Sequence, residues 1–130
     1  MAIVFLSLNI PTSENVFLVV YHRNHFGVMS SLPLDYTVGV VTYNFSDNSD
    51  KAYGGNNGHK QLSPGIWGLM SGNGLNDKQI DNKDKDDLWL TQSGSVGYFL
   101  TDFNMDGQVN ELDIEEKWHP NAGKSSQVPE

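Results

Sequence analysis

The sequence predicts a mainly β chain with short helices: an antiparallel sheet or partial sandwich over residues 1–66, then a tandem of loop-plus-helix units over residues 67–130. Three observations predict it. Apolar, β-branched and aromatic runs stand at residues 2–8, 16–21 and 36–45. Residues 46–66 are rich in Gly, Asn, Ser and Asp, the composition of a connection. Beyond them, acids and amides recur at fixed spacing around single apolar positions, the pattern of ligand loops rather than strands.

In chain order, residues 2–8 form an apolar run that is too short to cross a bilayer and reads as a strand. From Asn15 the chain alternates, with Val16, Leu18, Val20 and His22 on one face and Phe17, Val19, Tyr21 and Arg23 on the other. Both faces begin apolar, so this is expected to be a central strand that turns polar at Arg23, Asn24 and His25. Residues 36–45 make a third expected strand, bounded by Pro33 and the turn-forming run after Phe45. An incomplete sheet of this kind leaves an edge open to a partner. Tyr53 and Trp67 are expected to anchor the connection.

The chemistry lies in residues 102–113. Twelve-residue calcium loops take side-chain oxygens at positions 1, 3 and 5, a backbone carbonyl at 7, a direct or water-mediated oxygen at 9 and a carboxylate at 12. Asp102, Asn104, Asp106, Gln108, Asn110 and Asp113 occupy those positions. Gly107 at position 6 permits the positive φ that lets the Gln108 carbonyl face an ion, and Val109 at position 8 points into apolar packing. Hard oxygens without nitrogen or sulfur favour Ca²⁺ over Zn²⁺ or copper.

A second copy lies 29 residues earlier, over residues 73–84, and the same offset maps Trp89 onto Trp118. Its candidate ligands are Asn73, Asp77, Gln79 through its carbonyl, Asp81 and Asp84. Leu75 removes the oxygen at position 3, and Lys78 replaces the glycine, bringing a positive charge and a strained φ that costs about 1 kcal/mol. One Ca²⁺ is therefore expected in the later loop; the earlier either binds a second one weakly or keeps the same backbone path without metal.

Residues 71–121 resemble the type I dockerin, a duplicated calcium loop in which each copy leads into a helix. The resemblance implies Ca²⁺ at the loop positions above. Members of that family contact a cohesin through loop positions 10 and 11, often Ser-Thr. Asn82, Lys83, Glu111 and Leu112 stand there in this chain, so cohesin binding is not implied. Residues 21–30, 51–54 and 123–130 are similar to the carboxyl-terminal region of large exported surface proteins of Bacteroidetes-type bacteria, a resemblance that implies a sheet region with a dockerin-like tail and assigns no reaction.

A net charge of −8 argues against nucleic acid or an anionic membrane as partner, and much of it repels itself within the loop region until a divalent cation binds. The absence of cysteine removes disulfides, thiol catalysis and thiolate zinc sites. His22 and His25, three apart on a strand, are expected on opposite faces and not as a zinc pair, with Arg23 paired to an acid. Gly54 to Lys60 lacks the Ser or Thr of a phosphate loop after its lysine, Ser93 to Gly97 is out of register for a nucleophile elbow, and Asn44-Phe45-Ser46 is a glycosylation sequon by pattern alone.

No catalytic residues are assigned. The expected function is a non-enzymatic calcium-binding structural or adhesion module, extracellular or on the cell surface, where millimolar calcium suits such loops. Met1, without a basic leader region behind it, is not expected to be the natural start of the exported protein. The alternatives are a self-assembling filament subunit that completes a neighbour's sheet through residues 2–9, and an accessory domain of a secreted hydrolase.

Overall fold

The computed structural model describes residues 9, 13–37 and 39–130. Among them the chain is a small mixed fold of two antiparallel two-stranded sheets and two short helices. The expected strand at residues 2–8 lies outside the described residues.

Strand β1, Val19–His22, pairs with β2, His25–Met29, around the two-residue turn Arg23-Asn24. The register sets Val19 against Met29, Val20 against Val28 and His22 against His25. This corrects the histidine expectation. Chain reversal at Asn24 makes His22 and His25 cross-strand partners with Nδ1 atoms 2.9 Å apart, where one continuous strand would have separated them. Nor is β1 buried on both sides, since Val20 and Tyr21 are exposed while Phe26, Gly27 and Val28 of β2 are buried. Gly27 lets the exposed Tyr21 ring lie over it, since a Cβ would stand 2.6 Å from that ring.

The expected strand over residues 36–45 is not formed among the described residues. Local polar bonds win over β propensity. Asp35 Oδ1 accepts from the Thr37 amide, Asn44 Oδ1 accepts from the Ser46 amide, and Gly39 adopts a φ of +83°. The segment expected to be a plain connection carries a second hairpin instead, β3 (Lys60–Ser63) against β4 (Ile66–Gly68), reversed at Pro64-Gly65. Trp67 stacks on the buried His59 at 4.8 Å between ring centroids, while Tyr53 is exposed.

Each loop leads into a wide helical turn, Asp84–Trp89 and Asp113–Trp118. The first continues into the α-turn Leu90–Gln92, the second into the 3₁₀ turn His119–Asn121. The core is Phe26, Met70, Ile80, Phe103 and Trp118, with Ile114 packed on it. It draws on both sides of the expected division at residue 66. The β2 strand is tied to the later segment by the Phe26 amide, which donates to the Met70 carbonyl at 2.9 Å. Trp118 is fixed by Nε1 donating to the Asp81 carbonyl at 3.1 Å; its counterpart Trp89 lies outside this core, and its Nε1 is buried without a partner.

Burial sets a pH dependence. Desolvation, followed by the neighbouring His22, Arg23 and Lys117, lowers the His25 pKa to about 4, and burial also lowers that of His59. The unfolded chain takes up these protons near pH 6.5, before the native chain does, so stability is complete above that pH and falls as pH drops towards 4. His25 alone is expected to account for about 2 to 3 kcal/mol of the fall. Denaturant titrations in chelator across that range should show it, and His25→Gln should flatten the slope.

Candidate metal centre

Acidic and amide side chains wrap the later loop onto its own backbone. Asp102 accepts from the Asp106 and Gly107 amides at 3.1 Å each, Asp106 from the Gln108 amide at 2.9 Å, and Asn110 from the Leu112 amide at 2.9 Å. Asp113, fully buried, closes the ring by accepting from the Asn104 amide at 3.0 Å and the Asn110 amide at 2.9 Å. Gly107 has a φ of +85°, as position 6 requires, and Val109 is buried.

The earlier loop repeats five of these six bonds, all but that of the Gly107 amide. Asn73 accepts from the Asp77 amide, Asp77 from that of Gln79, and Asp81 from that of Lys83. The buried Asp84 accepts from the amides of Leu75 and Asp81. Every one of these five bonds has its partner 29 residues later. Backbone dihedrals follow the same offset: Asn76 and Met105 have φ of +58° and +65°, and Lys78 takes +69° against +85° for Gly107. The position 3 departure stands at Leu75, which offers no oxygen and is partly exposed. Lys78 directs its ammonium to Glu130, 3.5 Å away.

The two units exchange backbone pairing. The Gly94 amide donates to the Val109 carbonyl and the Val109 amide to the Ser95 carbonyl; the Gly123 amide donates to the Ile80 carbonyl and the Ile80 amide to the Lys124 carbonyl. Each loop is thus braced by the segment that follows the other unit's helix, a two-fold relation. Ser93 to Gly97, out of register for a nucleophile elbow, is part of this brace, with Val96 bridged to Gln108.

Sequence reasoning missed the turn that joins the loops. Asn24 is completely buried. Its carbonyl accepts from the amides of Gly72 and Asn73, at the start of the earlier loop. Its side-chain nitrogen donates to the carbonyls of Leu100 at 3.0 Å and Asp102 at 2.8 Å, at the start of the later one. Beside it, Arg23 lies 3.6 Å from the Asp102 carboxylate and 3.7 Å above the Tyr98 ring. Arg-Asn is not among the dipeptides that mark a two-residue hairpin, so the turn had no local signal beyond its asparagine. Lys60, of the phosphate-loop-like stretch, is spent on Asn121 Oδ1 at 2.9 Å.

Among the described residues, no three acidic or histidine side chains gather at metal-ligand spacing. The carboxylates turn towards the loop amides, and a carboxylate so bonded keeps further lone pairs. Burial pushes the pKa of Asp113 and Asp84 up, against the pull of their amide donors, and the nearby Asp102, or Asp77 and Asp81, pushes the same way. Such acids gain most from an added cation.

Lys78→Gly tests the strain directly. A side chain in the left-handed region costs about 1–2 kcal/mol, partly offset by the greater freedom of glycine in the unfolded chain. A net gain of roughly 0.5–1 kcal/mol is expected in chelator by thermal or denaturant unfolding. Compared with known protein families, curated proteins and solved structures, the chain matches none.

Proposed function

We propose that this chain is a non-enzymatic, extracellular calcium-binding module whose two dockerin-like loop-helix units are made rigid by Ca²⁺. One observation carries the reading: two loops of different sequence hold the same five carboxylate- or amide-to-backbone bonds at a constant offset of 29 residues. Turn chemistry explains one such loop readily; repeating it through Leu75 and a strained Lys78 favours inheritance from a duplicated ligand loop.

The later loop takes the ion through Asp102, Asn104, Asp106, the Gln108 carbonyl, Asn110 and Asp113. The earlier one, with Asn73, Asp77, the Gln79 carbonyl, Asp81 and Asp84, binds a second ion more weakly. All these donors are hard oxygens, which suits Ca²⁺, and the looser geometry of an irregular loop suits it better than Mg²⁺. The ion relieves the repulsion of the acidic region and stiffens a module with a core of few side chains, so its role is structural.

Thermal unfolding with and without calcium tests the proposal. Saturating Ca²⁺ should raise the midpoint of the intact chain, and Asp106→Ala should lose most of that rise. A midpoint that calcium leaves unmoved in the intact chain rejects the reading.

A further inference from the structure

Two further polar atoms approach His25 Nδ1 beside the hairpin turn. His22 Nδ1 and His25 Nδ1 are 2.9 Å apart, with their rings nearly perpendicular, and Asn24 Oδ1 lies 2.8 Å from His25 Nδ1. The amide cannot be flipped, because its nitrogen already donates to the carbonyls of Leu100 and Asp102. Its oxygen is the atom that faces the histidine.

Hydrogens are too few for this arrangement. A neutral imidazole carries a single N–H. When it sits on His25 Nδ1, one hydrogen serves both the Asn24 oxygen and the His22 nitrogen. When His22 supplies it, the Asn24 oxygen is left facing a bare nitrogen lone pair. Protonating both rings sets two N–H groups against each other. A metal ion uses all three lone pairs at once.

The spacing fits one. Two donors bound at about 2.0–2.1 Å and at right angles stand about 2.9 Å apart. We propose that His22 Nδ1, His25 Nδ1 and Asn24 Oδ1 form a binding site for a borderline divalent transition-metal ion, Cu²⁺ most tightly, with water completing its coordination. Imidazole nitrogen favours Cu²⁺, Ni²⁺ and Zn²⁺ and disfavours Ca²⁺, so the site is chemically separate from the loops. Arg23 and Lys117 are positive charges near His25 and oppose any cation, although Asp102 offsets that of Arg23. Strong coordinate bonds must therefore outweigh repulsion, which selects Cu²⁺ among the divalent ions. Bound there, the ion pins the turn that touches the start of both loops.

Cu²⁺ titrated into the tag-free full chain in excess Ca²⁺, followed by electron paramagnetic resonance, tests the site. One Cu²⁺ per chain is expected, with hyperfine coupling to two nitrogens. His22→Gln, at a partly exposed position, should weaken binding about tenfold or more and leave coupling to one nitrogen, whereas His119→Gln changes neither. Binding without nitrogen coupling, or undiminished binding by His22→Gln, overturns the proposal. Neither result depends on calcium occupancy, which the unfolding experiment reads separately.

Discussion

Asn24→Ala is expected to destabilise the chain by about 2 to 4 kcal/mol, with or without calcium, because it strips two carbonyls of their donor. Those carbonyls belong to Leu100 and Asp102, and the lost amide is completely buried. The backbone carbonyl of residue 24 keeps its bonds to Gly72 and Asn73, so the turn still forms and the earlier loop is still held. The loss falls on the later loop. Hydrogen exchange should find the amides of Asp106 and Gly107, which bond to Asp102, less protected than the corresponding Asp77 amide on Asn73. Equal loss of protection in both loops would contradict the side chain's assigned role.

The second large effect is expected at the carboxylates that close the two cages. Asp113→Ala leaves the Asn104 and Asn110 amides without their acceptor, and Asp84→Ala does the same to Leu75 and Asp81. In chelator each should cost about 2–3 kcal/mol, reduced by relief from burying a carboxylate, and the two should be similar. Calcium separates them. If Asp113 is a ligand of the stronger site, as proposed, its replacement should also remove most of the stabilisation that the ion supplies, whereas Asp84→Ala should leave the later loop able to bind. Denaturant unfolding of both variants with and without Ca²⁺ measures the difference; an equal calcium response in the two would contradict unequal sites.

How much of this was legible in the sequence depended on whether the signal was local. Ligand loops place each donor by its position within twelve residues, and the side chains bond to amides two to nine residues away, so the cages and their offset could be read directly. The buried Val109 and Ile80 followed from the same register. Sheet structure needs distant partners, and there the reading went astray. Residues 36–45 have the β-branched composition of a strand, yet the Asp35 and Asn44 turns and Gly39 hold them otherwise. The strand His25–Met29 was hidden because Arg23 and Asn24 read as the polar end of the preceding strand and not as a turn. Asn24 itself was invisible for a physical reason: four of its five partners lie 48 to 78 residues further along, and nothing in a single asparagine announces them.

Calcium in the later loop is what the proposed function most requires. Isothermal titration of the intact, chelator-treated chain with Ca²⁺ measures this directly. One saturable site that Asp106→Ala abolishes is the predicted result, with a weaker second phase from the earlier loop. Heats of dilution alone, from the wild-type chain at millimolar calcium, would contradict it.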